Sequence, residues 1–457
     1  MKATLFSFLP NVFPIRIKES GKAEADYELK WRNFIVTGVG SEEIELRARL
    51  PATVEAEALA RQGYEVRKVL LVPITLSVYL SDLPDDINHL RRDVISLIKV
   101  HLEEKFDEVY VLPASGHFRL TVSGLPIIIT APLGDLRFEA FYVLRSELLS
   151  SKPDLAVFDV TFLSGQVSTT LLEAFDFALA DYSLLTEKKV RSYAYSAESF
   201  DEFAAAVRVQ RASTIIVSPQ TVRTKLEKVE NIGKIRDKPI ETKGRSFFGE
   251  LTASIDACSP LYFLQRLSEE DLSGLYSPEE IEAMVWDQAR VEKRAEYRVE
   301  FAISLTGEAV KYVLWRDVAK KLRDSIRNPP FTLDKIEGLN AFFPKACLNH
   351  FVNSIKRPLE LLKGWSTDRD EFSLAELDDL LNSRLADHIG SLKEGKLIVP
   401  ERKRRCHDPE WRPFGLVEEA IRVTKDGRVA YFDECWKGII KAFREVTGLK
   451  EERHHLI

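Results

Sequence analysis

The stretch "DLAVFDVTFLSGQVSTTLLEAFDFALADY", residues 154–182, decides how the N-terminal half is read. Its first part, "DLAVFDVTF" (154–162), is an apolar run of strand length. Its last part, "STTLLEAFDFALADY" (168–182), has the apolar spacing of a helix. Between them gather Asp159, Thr161, Ser164, Gly165, Gln166, Ser168 and Thr169. A buried strand that hands over to a helix through a polar, glycine-bearing loop is the unit of a parallel α/β sheet. In such sheets ligands sit outside the carboxyl ends of the strands. Hydroxyls, a glycine and free helix N–H groups suit phosphates. The same residues also read as an ordinary strand-to-helix turn, with Ser168 as the helix N-cap.

Working outward, the alternation repeats. "KATLFSF" (2–8) reads as a strand, and "KVLLVPITL" (68–76) as a second, almost continuously apolar one. "DDINHLRRDVISLIKVHLEEKF" (85–106) has Ile87, Leu90, Val94, Leu97 and Ile98 at helical spacing. "DEVYVLPAS" (107–115) is a strand, "FRLTVSGLPIIITAPL" (118–133) a hairpin turning near Ser123 and Gly124, and "FEAFYVLRSELL" (138–149) a helix. "KVRSYAYS" and "ASTIIVSP" extend the sheet. "FLPNVFP" (8–14) follows the first strand and brings Pro10 and Asn11 to the same edge as the 159–168 loop. The expected fold is therefore an α/β Rossmann-like N-terminal domain, residues 1–215.

Residues 216–260 carry dense alternating charge and read as a linker or exposed hairpin. Beyond them strand signals almost vanish, and 261–457 is expected to be a mostly α-helical C-terminal domain. Ser277-Pro278-Glu279-Glu280 opens a helix in "SPEEIEAMVWDQARVEKRAEYRVEFAISL", with an N-cap and proline at the first helical position. "EAVKYVLWRDVAKKLRDSIR", "NHFVNSIKRPLELLKGW" and "SLAELDDLLNSRLADHIGSLKEG" are further helices, the last closed by Gly395.

With 457 residues, 45% of them hydrophobic, the chain is long enough for two cores. A net charge of −6 means that any polyanion site is local. The four cysteines, Cys258, Cys347, Cys406 and Cys435, are widely spaced, with no CxxC. They read as reduced thiols in a cytoplasmic protein. The N-terminus reads as a strand rather than a signal peptide. No apolar run approaches the ~20 residues of a membrane span. Few methionines and abundant Glu, Lys and Arg suggest a thermophile. Neither H-E-x-x-H nor paired Cys/His spacing occurs, so no metal is expected. Walker A and G-x-G-x-x-G patterns are also lacking.

One segment stands out in the C-terminal half: "LIVPERKRRCHDPEWRPFG", residues 397–415. Arg402, Lys403, Arg404 and Arg405 run into Cys406 and His407. A histidine moves protons near neutrality, and an arginine stabilises the added charge of a phosphorane. Together they suit attack of a ribose 2′-hydroxyl on its own phosphate, without a metal. A basic run is also the composition of a solvated turn. Five positions turn a regular helix by ~140°, so Arg402 and His407 would not share a face of one. Pro400 and Pro409 bracket the segment, which shortens any helix there, and a site composed across a two-fold axis would relax the demand. Arg384 and His388 do share a helix face, but with Asp387 they read as a surface ion-pair network.

Taken together, the D-x-T loop and the ER-x4-H segment resemble the CRISPR-associated CARF–HEPN ribonucleases of type III systems. The family's strand-end motif runs D-[LIV]-T-H-G-x-[NQ]. Asp159, Val160 and Thr161 match it directly, and Gly165 and Gln166 match with one residue inserted. Phe162 or Leu163 stands where the family has histidine. Glu401, Arg402 and His407 match the HEPN signature, with Lys403 in place of the usual polar residue. "VEEAIRVTKDGRVAYFDECWKGIIKAF" is similar to the family's following β-turn element with its tyrosine and final helix. The resemblance implies a homodimeric hydrolase of antiviral defence. A cyclic oligoadenylate, expected to be cyclic tetra-adenylate, would activate it at Asp159, Thr161, Ser164, Gly165, Gln166, Ser168, Pro10 and Asn11. Single-stranded RNA would lie on Lys403, Arg404 and Arg405, with Arg402 and His407 catalytic. Two other outcomes share the sensor half: a ligand-binding transcription regulator, and a ring nuclease that degrades its own cyclic oligoadenylate.

Overall fold

The structure is a computed structural model. It describes residues 1–9, 32–37, 43–102, 104–122, 125–161, 165–197, 206–326, 328–362, 366–367, 369–382, 392–393, 396–397, 418–447 and 449. Along the chain come β1 (Lys2–Phe8), β2 (Arg32–Thr37), β3 (Ile44–Ala48), α1 (Pro51–Arg61), β4 (Glu65–Pro73), α2 (Ile87–His101) and β5 (Glu108–Leu112). Then follow β6 (Gly116–Val122), β7 (Leu125–Ala131), α3 (Leu133–Ser151), β8 (Leu155–Asp159), α4 (Gly165–Thr186), β9 (Val190–Ala197) and β10 (Ala206–Val217). The middle of the chain holds β11 (Gly233–Ile235), β12 (Lys238–Pro239), α5 (Arg245–Asp256), α6 (Pro260–Glu269) and α7 (Pro278–Asp287). After these come β13 (Ala289–Lys293), β14 (Tyr297–Phe301), β15 (Ile303–Leu305) and α8 (Glu308–Ser325). The rest is β16 (Phe331–Thr332), α9 (Leu333–Glu337), α10 (Lys345–Leu362), β17 (Ser366–Thr367), β18 (Glu371–Ser373) and α11 (Leu374–Asn382). It ends with β19 (Leu392–Lys393), β20 (Lys396–Leu397), β21 (Ile421–Thr424), β22 (Arg428–Tyr431) and α12 (Asp433–Thr447). No helix among the described residues is long and apolar enough to cross a membrane.

The chain divides into two compact units. The first comprises 1–219, 230–242 and 276–314; the second comprises 220–229, 243–275 and 315–457. In the first, an eight-stranded sheet runs β3-β2-β10-β9-β8-β1-β4-β5. Its five strands from β9 to β5 are parallel, as the Rossmann-like reading requires. β10 joins antiparallel to β9, β2 parallel to β10, and β3 antiparallel to β2. β1 and β8 are buried on both faces, which is why their sequences are nearly continuous apolar runs. One face packs on α1 through Leu5, Val157, Tyr195 and Val209. Because α1 touches β3 at one end of the order and β4 near the other, the sheet curls round it. On the opposite face, the Phe175 ring of α4 lies against Phe6 and Phe158.

The stretch after α7 departs from the helical expectation. α7 is capped as its sequence foretells, with a reciprocal Ser277–Glu280 capping box, but it stops at Asp287. Residues 289–305 are strands. Tyr297, Val299 and Phe301 face inward while Arg298 and Glu300 face outward, the period of two that a strand imposes. β14 pairs in parallel with β7, giving a sheet of order β13-β14-β7-β6. β11, β12 and β15 form a small third sheet.

The second unit is helix-rich but not all-helical. A four-stranded sheet of order β16-β22-β21-β18 packs with its helices, and β17, β20 and β19 form a smaller one. The cysteine reading is corrected here: Cys258 and Cys347 are joined by a disulfide, with Cα atoms 5.6 Å apart. A separation of 89 residues hides that proximity in the sequence. Gly395 and the helix turn at Arg384–His388 lie outside the described residues.

Candidate functional site

Parallel pairing brings the carboxyl ends of β1, β8 and β9 to one edge, with Ser7 opposite Asp159 and Asp159 opposite Tyr195. These three end the face turned to α1. Ala3 and Leu5 precede Ser7, Leu155 and Val157 precede Asp159, and Tyr193 precedes Tyr195. An apolar face thus finishes in a polar row just below the loops. Ser7 Oγ donates to Asp159 Oδ2 at 2.8 Å, and the Thr161 N–H donates to Oδ1 at 2.9 Å. The Val160 N–H continues the ladder to the Tyr195 carbonyl at 2.8 Å. Asp159 is only 1% exposed, which decides its role: it braces the turn from beneath. Burial pushes its carboxyl up, while the donors of Thr161 and Ser7 pull it back.

Beyond the turn, Gly165 opens α4 at φ +56°, and nothing among the described residues lies near where a Cβ would stand. The left-handed backbone and open space suit glycine there. The helix starts here, not at 168, so Ser168 lies in its first turn and is not the N-cap. Gly165 and Gln166 are exposed and Ser168 is half-buried. The first-turn N–H groups of an α-helix have no intrahelical partner. Asp159, Thr161, Gly165, Gln166 and Ser168 therefore follow one another round one strand-to-helix corner. Ser164, Pro10 and Asn11 lie outside the described residues.

Two participants escaped the sequence reading. Glu55 projects from α1, is 0% exposed, and neither carboxyl oxygen has a hydrogen-bond partner among the described residues. Burial, then the nearby charge of Asp159, pushes its carboxyl well above the usual range. The Tyr195 hydroxyl is likewise buried and unpartnered, and burial followed by Glu55 raises its pKa. Alternation along β1 and β9 marks Ser7 and Tyr195 as residues of the α1-facing row. No such signal marks Glu55, because an acid on a buried helix face breaks the amphipathic pattern.

Arg402, Lys403, Arg404, Arg405 and His407 lie outside the described residues. The described chain resumes at Glu418 with the hairpin of β21 and β22, turning through Gly427 at φ +81°. Tyr431 closes it, buried, with its N–H on Gln265 Oε1 at 3.0 Å, and α12 follows. Among the described residues no group of three or more His, Cys, Asp or Glu is placed to hold a metal ion.

Residues 4–199 match the family model described as the CARF domain of the CRISPR system endoribonuclease Csx1. That range takes in β1 through β9, and with them the row at the carboxyl edge. The N-terminal part of the chain therefore carries a CARF domain. No curated protein matches the chain.

Proposed function

We propose that this protein is a metal-independent endoribonuclease of CRISPR antiviral defence, switched on by a cyclic oligoadenylate. The CARF match over residues 4–199 carries the reading, since it covers the edge where Asp159 braces the loop of Thr161, Gly165, Gln166 and Ser168. A cyclic oligoadenylate is a ring of phosphates and bases. Exposed helix N–H groups and hydroxyls at that corner suit its phosphates. Ser164, Pro10 and Asn11 complete the proposed contacts. A second copy of the chain would share the ring across a two-fold axis.

The chemistry is assigned to the C-terminal half. Lys403, Arg404 and Arg405 hold the RNA backbone. The His407 imidazole takes the proton of a ribose 2′-hydroxyl as its oxygen attacks the adjacent phosphorus. Arg402 stabilises the charge that builds on the non-bridging oxygens. The P–O5′ bond breaks, a proton passes to the leaving 5′-oxygen, and a 2′,3′-cyclic phosphate remains.

The test is cleavage of single-stranded RNA by the full chain beside His407→Ala. Each is assayed in EDTA with no activator, cyclic tetra-adenylate or cyclic hexa-adenylate. Cleavage should require a cyclic ligand and fall by about 10²–10⁴ in the variant, the usual worth of a general acid–base group. RNA left intact while the cyclic ligand is consumed would move the chemistry to the carboxyl edge. RNA cut equally well by His407→Ala would remove the assignment.

A further inference from the structure

β7 leads directly into α3, and at that junction a distant stretch of chain is gripped. Leu305, 170 residues after Asp135, gives its N–H to Asp135 Oδ1 at 2.8 Å. Its carbonyl oxygen would stand 1.7 Å from a Cβ added to Gly134, so only glycine permits the approach. One turn along α3, Glu139 Oε1 accepts the Trp286 indole N–H at 2.9 Å. β14 lies parallel to β7, and the Tyr297 hydroxyl reaches the Pro84 carbonyl at 2.8 Å. Residues 276–314 are thus fastened to the CARF domain within one compact unit, although they lie beyond the matched range.

Two buried carboxyls do the fastening, and each is half satisfied. Asp135 Oδ2 and Glu139 Oε2 have no partner among the described residues. Burial lifts Asp135 to about 8, against the pull of the Leu305 N–H. Burial and the facing Glu282 of α7 lift Glu139 to about 8, against Trp286 and the Arg91 guanidinium of α2. Arg91 also lies over the Trp286 ring at 3.8 Å. Tyr142, one helical turn beyond Glu139, is raised by its own burial and by Glu282. Below pH 8 both acids are neutral. Above it, two charges form in a dry contact where one arginine faces several carboxylates. A permanent anchor is better built from an amide or a fully paired charge.

We propose that residues 276–314 are a releasable clasp on the CARF domain, held by Asp135 and Glu139 and loosened by proton loss or by ligand at the carboxyl edge. The ligand arm rests on the cyclic oligoadenylate reading; the proton arm does not. Position favours the coupling. α3 packs along α4, and α4 begins at Gly165 in the candidate ligand loop. In the chain, the clasp directly precedes Trp315, where the longest part of the second unit begins.

Amide hydrogen exchange of the full chain, read on peptides spanning 297–306, tests this. It is run near pH 6.5 and pH 9, corrected for intrinsic rates, with and without cyclic tetra-adenylate or hexa-adenylate. Calorimetry measures ligand binding in parallel. Wild-type protection should fall about tenfold between these pH values, most of it below pH 8, where released carboxyls are ionised and clasped ones still hold their protons. Bound ligand should lower it in the same peptides. The double variant Asp135→Asn/Glu139→Gln keeps an acceptor on each side chain and has no proton to lose, so it should stay protected at both pH values. If neither cyclic ligand binds while pH-dependent release persists, the clasp stands and the sensor reading fails. If ligand binds but neither ligand nor pH alters exchange in 297–306, the clasp fails and the sensor reading stands.

Discussion

Glu250 and Glu139 are both helical, both fully buried, and fastened in opposite ways. Glu250, in the second unit, accepts the Tyr262 hydroxyl at 2.9 Å and Arg266 Nε at 2.8 Å on one oxygen. Its other oxygen takes Arg444 Nε at 2.9 Å and a second guanidinium nitrogen at 2.6 Å. It ties α5, α6 and α12 into one ionic hub, and the Cys258–Cys347 disulfide joins the α5–α6 junction to α10. Glu139, in the first unit, has one indole donor and, among the described residues, no partner for its other oxygen. A carboxylate met by two guanidinium groups has its charge compensated in place. A carboxyl buried almost alone keeps its proton instead. The contrast is between a buried charge paired on both oxygens in the second unit and, in the first, acids that burial holds protonated.

The largest expected effect comes from removing the hub. Glu250→Ala leaves two partly buried guanidinium groups and a tyrosine hydroxyl without their acceptor. It should destabilise the second unit by about 3–5 kcal/mol, the range for breaking a buried pair from one side. Denaturant unfolding followed at unit level checks this. A loss under about 1 kcal/mol would mean the hub behaves like a surface ion pair and would erase the contrast.

Next comes the staple. The disulfide closes a span of 89 residues, so Cys347→Ser should lower stability by about 2–4 kcal/mol. Melting with and without reductant reads it: reductant should lower the wild-type midpoint by more than it lowers the variant's.

The pH profile sharpens the comparison most directly. Asp135 and Glu139 have folded pKa values of about 8, above those of the unfolded chain. Their contribution is fully present below about pH 4 and is lost as pH rises towards 8, because the folded state holds the protons longer. Every tenfold gain in proton affinity on folding is worth about 1.4 kcal/mol, and relaxation and water entry return much of that. The pair should therefore withdraw on the order of 3 kcal/mol from the first unit across that window. Glu139→Gln should flatten the slope.

Much of this arrangement was legible in the chain and some could not be. The parallel core was readable because β1, β8 and the second half of β4 are buried on both faces and so are written as apolar runs. The D-x-T corner was readable for the same reason, since polarity begins where such a run ends. β3 and α1 were not. α1 buries Pro51, Ala52, Val54, Glu55, Ala58 and Leu59, mostly small residues with an acid among them, so its apolar stripe is weak. Residues 289–305 misled because Arg290, Glu292, Arg298 and Glu300 are good helix formers on the outward side of strands. What overrode propensity was β7, whose pairing with β14 lies far away in sequence. The clasp hides for the same reason: Asp135 and Glu139 look like ordinary helix acids until Leu305 and Trp286 arrive.

The smallest expected effect separates the polar row from both glutamates. Asp159 is buried like Glu139 but satisfied on both oxygens, by Ser7 and by the Thr161 N–H. Ser7→Ala removes one neutral donor and leaves the turn's own bond in place, so stability should fall by only about 1 kcal/mol. Its consequence is local. With that donor gone, burial acts on Asp159 with less to oppose it, and its carboxyl should titrate higher than in the wild type. Binding of cyclic tetra-adenylate should then weaken at pH values where wild-type binding is flat, because the brace under Thr161 and Gly165 takes up a proton. Calorimetric titration of Ser7→Ala from about pH 5 to 8, beside the wild type, reads this. Equal affinity of the two proteins across that range would show that the loop holds its shape without Ser7.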